Sequence, residues 1–197
     1  MNYLFFDIEC CDGAHICEFG YVLIDEQFNI LERDCLTIDP GHKFKLTGRE
    51  HESDIQLAFP EEVYYSSPKF DFYYDRIKAL LTMKECQIIG FSLSNDTGFL
   101  ATACELFEKE PIPFTYYDFQ KLYQGYTKAK NRTSVEGIVK ELEIIGIQLH
   151  KSDDDAYAVI RALQIIGERE KLTLPETLEM LKQKNKSYKA ERARKHN

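Results

Sequence analysis

Four acids and one histidine in this chain have the types and spacing for joint chemistry: Asp7, Glu9, Asp96, Asp155 and His150. Asp7 and Glu9 follow the apolar run Leu4-Phe5-Phe6. On an extended strand, residues two apart point to one face, so the two carboxylates sit side by side while Ile8 turns away. Like charges at the end of a buried strand are costly unless something positive compensates them. A hard divalent cation does this through carboxylate oxygens. Taken alone, the pair also fits a strand end running into solvent. Asp96 adds weight to the cation: Phe99, Leu100, Ala103 and Phe107 follow at i+3, i+4, i+7 and i+11, so this acid opens the apolar stripe of its helix. Asp155 does the same, with Val159, Ala162 and Ile166 on its side, whereas Asp154 shares a face with Ala158 and Arg161. Both acids also suit the first turn of a helix as dipole or capping groups, with Ser94, Asn95 or Ser152 as N-caps. Capping leaves His150 unexplained. An imidazole, with its ordinary pKa of about 6.5, takes a proton from water near neutral pH.

The elements that must position these groups are legible as pattern. An apolar strand over 3–8 is followed by β-patterned stretches at 16–25 and 28–38, parted by the turn-like Asp25-Glu26-Gln27. Together they predict an antiparallel meander. Residues 40–67, with Pro40, Gly41, Gly48 and Pro60, read as a long loop holding one short helical piece. The rhythm then becomes helix at about 69–83, strand 87–91, helix 95–108, strand 114–118, and helices near 119–126, 134–145, 153–169 and 175–189. The pattern predicts an α/β fold, a mixed five-stranded sheet of three meander strands plus two parallel strands, flanked by helices.

The order Asp7-x-Glu9, Asp96 within Gly90-Phe-Ser-Leu-Ser-Asn-Asp, and His150-x4-Asp155 resembles the DEDDh branch of the DEDD 3′→5′ exonucleases, over roughly residues 1–168. The resemblance implies a ribonuclease H-like fold, two divalent cations (Mg²⁺ or Mn²⁺) and release of nucleoside monophosphates from the 3′ end of single-stranded DNA or RNA. It further implies that Asp7, Glu9, Asp96 and Asp155 are the metal ligands and that His150 is the general base. A histidine at 150 separates this branch from the one that uses tyrosine.

Departures from the family pattern concern the substrate. Family members carry His-Asn early in the second motif and an aromatic just before its aspartate, where this chain has Phe91-Ser92 and Asn95. They also have Thr and Gly soon after the first Glu, where Glu9 here leads to Cys10-Cys11-Asp12-Gly13. Cys10, Phe91 and Arg132 are the candidate substrate contacts. Lys128, Lys130, Arg132, Arg49 and the C-terminal basic residues are candidate phosphate contacts, although such residues are more often simply solvated surface charges.

The bulk numbers bound the rest. A chain of 197 residues, 44% hydrophobic, fits one domain with a single core. The net charge of −8 is uneven, because 182–197 holds seven basic residues against Glu191 alone, +6 in all, which leaves −14 on 1–181. The expected organisation is an exonuclease domain at 1–181 and a basic tail at 182–197. No run of eighteen apolar residues and no signal-peptide pattern occur, so a soluble cytoplasmic protein with no membrane partner is expected. Six cysteines without a CxxC pair read as reduced thiols, and a zinc site at Cys10, Cys11, His15 and Cys17 matches no established spacing. No GxGxxG follows a strand, which excludes a dinucleotide-binding oxidoreductase. Two other functions fit the same residues: a non-enzymatic nucleic-acid-binding module, and a phosphodiesterase acting on small nucleotides.

Overall fold

Strand β1 (Asn2–Cys10) is the axis of the molecule, and its alternation explains the layers on either side. Even-numbered Leu4, Phe6 and Ile8 pack into one core with α2 (Phe70–Leu81) and α3 (Ser94–Leu106). Odd-numbered Tyr3 and Phe5 pack into a second core with α4 (Phe119–Thr127), α6 (Ser152–Glu170) and α7 (Leu174–Lys184). Phe5 and Phe6 are both fully buried, on opposite faces, and each such side chain contributes about 1.5–3 kcal/mol through burial. The same alternation puts Asp7 and Glu9 on the α6 side. This computed structural model describes residues 1–45, 56–185 and 188–193.

The expected meander is present as β1, β2 (Ile16–Ile24) and β3 (Ile30–Thr37), with Asp7 opposite Gly20 and Glu9 opposite Glu18. β4 (Cys86–Gly90) and β5 (Thr115–Asp118) extend the sheet in parallel from β1. Among the described residues the sheet has six strands, in the order β3-β2-β1-β4-β5-β6, where five were expected. The added strand, β6 (Glu191–Arg192), pairs antiparallel with Thr115 and Tyr116 and comes from the stretch expected as a basic tail. Two charged residues carry no period-2 signal, so only the pairing reveals it.

Helix boundaries follow local chemistry. Thr173 and Glu176 form a capping box with Pro175 at the start of α7, which ends at Lys184 and not 189. The expected helix 134–145 shortens to α5 (Val135–Glu141), capped by the Ser134 hydroxyl, because Glu143 and Gly146 take positive φ and stop it. The short helical piece of the long loop is α1 (Glu61–Tyr65). Ser94, Asn95 and Ser152 cap nothing: α3 and α6 have Leu93 and Lys151 at their N-caps, without side-chain capping bonds. All six cysteines are free thiols. Among the described residues no helix is long and apolar enough to cross a membrane.

Candidate active site

The C-terminal end of β1, the loop after β4 and the start of α6 meet at one end of the sheet, around a cleft of about 300 Å³. Asp7, Glu9, Asp96, His150 and Asp155 all line it, with Phe91, Ser92, Asn95 and Phe99 on the α3 side and Ser134, Val135 and Glu136 from the start of α5. Each of the five sequence-derived candidates therefore reaches the same place.

Asp96, Asp155 and His150 are held by hydrogen bonds with a physical reason. Asp96, buried at the first turn of α3, accepts the Ile8 backbone N–H at 2.9 Å, which ties its helix to the strand between Asp7 and Glu9. Asp155 Oδ2 accepts the His150 backbone N–H at 3.1 Å. His150 has φ of 60°, a left-handed conformation that turns the chain sharply into α6. Its ring is half exposed, with Nδ1 3.7 Å from Glu9 Oε1. Donor atoms of Glu9, His150 and Asp155 all lie within 4.8 Å of one another. The second motif is held from below by Asp118, which accepts the Ser92 N–H at 2.9 Å and the Gln120 N–H at 3.0 Å. Ser92 is thereby kept in the left-handed region at φ 57°. No role was expected for Asp118; its signal is an acid closing a strand directly before a helix.

The electrostatics are those of an uncompensated acid cluster. Burial, then the charges of Asp96, Glu9 and Asp155, push the Asp7 carboxyl well above its ordinary range. Burial raises Asp96 to about 7, and burial together with the Glu9 charge raises Asp155 to about 7. The Glu9 carboxylate beside it in turn raises the His150 imidazole. Asp155 Oδ1 is buried without a hydrogen-bond partner, and among the described residues no lysine or arginine lies within ion-pair distance of any of the four acids. The donor set is carboxylate oxygen, and one of those oxygens has no partner in the protein, so the site fits a hard divalent cation.

The remaining candidates are spread out. Phe91 lines the cleft. Cys10 is buried in the core beneath it, with its thiol pushed up by that burial. Lys128, Lys130 and Arg132 are exposed on the loop leading to α5, whose first turn forms the cleft rim. Arg49, Lys186, Arg194 and Lys195 lie outside the described residues. Lys182 and Lys184 sit over the rings of Tyr117 and Tyr126. His15 pairs with Asp12 and stacks on His42, and among the described residues no cysteine joins a metal-type cluster.

The layered sheet has a ribonuclease H-like fold. The chain superposes on the nuclease domain of 3′hExo, a DEDDh family member bound to rAMP, with TM-score 0.67 and 16% identity, over 86% of this chain and 91% of that one. E. coli exonuclease I in complex with a dA16 oligonucleotide gives TM-score 0.67 and 15% identity over 91% of this chain and 42% of that one. The 3′-exonuclease that recognises the histone mRNA stem-loop gives 0.65 and 14%, over 84% and 63%. The chain thus spans nearly all of an isolated nuclease domain and under two thirds of the longer proteins. At these identities the likeness is one of fold. No family model matches the sequence, and no curated protein does.

Proposed function

We propose that this chain is a DEDDh-type 3′→5′ exonuclease, hydrolysing phosphodiester bonds at the 3′ end of single-stranded DNA or RNA. The observation that carries this reading is the buried, unpartnered Asp155 oxygen in a four-acid cluster with a histidine at its mouth, on a fold shared with exonucleases. Two divalent cations, Mg²⁺ or Mn²⁺, held by Asp7, Glu9, Asp96 and Asp155, would lower the pKa of a bound water and stabilise the attacking and leaving oxygens. His150 accepts the proton of that water: half exposed and beside Glu9, it can pass the proton to solvent. Phe91, Ser134 and the α5 rim contact the terminal nucleotide, and Arg132 with its neighbouring lysines meets the phosphates upstream. The volume is at the lower bound for ligand pockets, which suits a chain end better than a duplex. In this reading the catalytic unit is residues 1–181, completed by β6 from the basic stretch, and it works in the cytoplasm, where six free thiols stay reduced.

The test is an oligonucleotide, RNA and DNA separately, labelled at its 5′ end and incubated with Mn²⁺ or Mg²⁺. A ladder shortening from the 3′ end, abolished by chelator, is expected. Shortening from the 5′ end, or cleavage that survives chelation, overturns the reading.

A further inference from the structure

On the sheet face that carries Asp7 and Glu9, strand β2 presents Gly20 opposite Asp7 and Glu18 opposite Glu9. Both meet the first turn of α6. A Cβ on Gly20 would stand 2.0 Å from the Asp153 nitrogen and 2.3 Å from the Ser152 carbonyl carbon, so only glycine lets the helix start rest on the sheet. Beside it, Glu18 is fully buried in a strand otherwise built almost wholly of apolar residues. One of its carboxyl oxygens accepts the Ser152 N–H at 3.1 Å, the Ser152 hydroxyl at 3.0 Å and the Cys35 thiol at 3.3 Å. The other accepts the Tyr64 hydroxyl.

A carboxylate in such a place is costly to bury, and an aliphatic side chain would be the ordinary occupant of the strand. What Glu18 supplies instead is a cap from outside the helix. α6 has no side-chain capping bond of its own, and Glu18 satisfies a free N–H of its first turn and places negative charge at the positive end of the dipole. The docked turn contains the catalytic candidates: Asp155 lies three residues after Ser152, and His150, two before it, is tied to Asp155 through its backbone N–H.

We infer that Glu18 is a positioning residue which, through Ser152, sets Asp155 and His150 against Glu9, with Tyr64 orienting its second oxygen. The inference rests on the proposed nuclease function, because its consequence is metal affinity and turnover. Partners that orient metal ligands from behind typically change affinity or activity by about 10–100-fold when removed.

The experiment compares wild type, Glu18→Gln, Ser152→Ala and the double variant. It measures Mn²⁺ binding by calorimetry, kcat and KM on an oligonucleotide, and folding by circular dichroism at the assay temperature. For folded Glu18→Gln, Mn²⁺ binding about tenfold weaker and a fall in kcat with unchanged KM are expected. Ser152→Ala should shift both in the same direction by less, and the double variant should fall short of the sum of the two losses. A folded Glu18→Gln with wild-type Mn²⁺ affinity and kcat overturns the inference. If that variant does not fold, a folded Ser152→Ala with unchanged Mn²⁺ affinity overturns it. A wild type that binds no Mn²⁺ and cleaves nothing instead overturns the nuclease reading, a distinguishable result.

Discussion

Three successive aspartates open α6, and they live in opposite environments. Asp153 and Asp154 point toward β3, where Arg33 pairs with both, Nε lying 2.6 Å from Asp153 Oδ2. Lys151 adds a contact at 3.0 Å to Asp153. Arg33 also stacks on Tyr157. Asp155 points the other way, into a cleft it lines together with Asp7, Glu9 and Asp96, where among the described residues the half-exposed His150 is the one basic side chain in the lining. On one side the protein neutralises its own acids. On the other it leaves them without a lysine or arginine partner among the described residues. The difference between neighbours of identical chemistry separates acids that the fold compensates from acids that it leaves uncompensated.

Breaking this contrast should have its largest effect at Asp155. Asp155→Ala removes a proposed ligand whose cation would supply several kcal/mol of transition-state stabilisation, so a loss of about a thousandfold in rate is expected, while the metal-free protein keeps its melting temperature or gains. A 3′-shortening assay beside a melting curve checks both, and an unaffected rate sinks the assignment. His150→Ala should cost about a hundredfold and flatten the rise of rate with pH, measured over pH 5.5–9. Equal rates and profiles would remove His150 from the chemistry.

Stability in chelator should depend on pH with an inverted sign for acids. Asp96 and Asp155 titrate near 7 when folded, against about 3.9 in an unfolded chain. The folded state therefore holds more protons across that window. Stability is fullest below the lower value and declines as pH rises toward 7. Mn²⁺ should reverse the trend. Denaturant melts at pH 5 and 8, with and without Mn²⁺, measure this, and a metal-free protein more stable at pH 8 would contradict it. The smallest effect belongs to the compensated side. Arg33→Ala should destabilise by about 1–2 kcal/mol, because it leaves two acids underpaired while one flank is partly exposed. Cleavage per folded molecule should change far less than in Asp155→Ala, and a comparable loss would merge the two regions that the structure separates.

The candidate site was legible in the sequence to an unusual depth because helix and strand periods carry direction. The stripe Leu100, Ala103 behind Asp96 and Val159, Ala162, Ile166 behind Asp155 is buried as the spacing implies, so both acids had to face inward. The spacing also sets position 154 apart from 155, yet the partner of Asp154, Arg33, is 121 residues away, and no local pattern encodes that. Glu18 was equally hidden: an acid inside an apolar strand signals a buried partner without saying which. Cys10 follows Glu9 closely in sequence but alternates to the other face of the sheet, into the core. β6, two residues long, lay below any periodic signal.

By itself, then, the sequence determined the α/β alternation, the meander and the inward aim of the acids, since these follow from periods of 2 and 3.6 and from the cost of burying unpaired charge. Tertiary structure alone decided which charges find partners. Gly20 and Glu18 let α6 dock on β2, and that contact turns Asp153 and Asp154 toward Arg33 and leaves Asp155 facing the cleft, because compensation depends on distances in space that spacing along the chain does not contain.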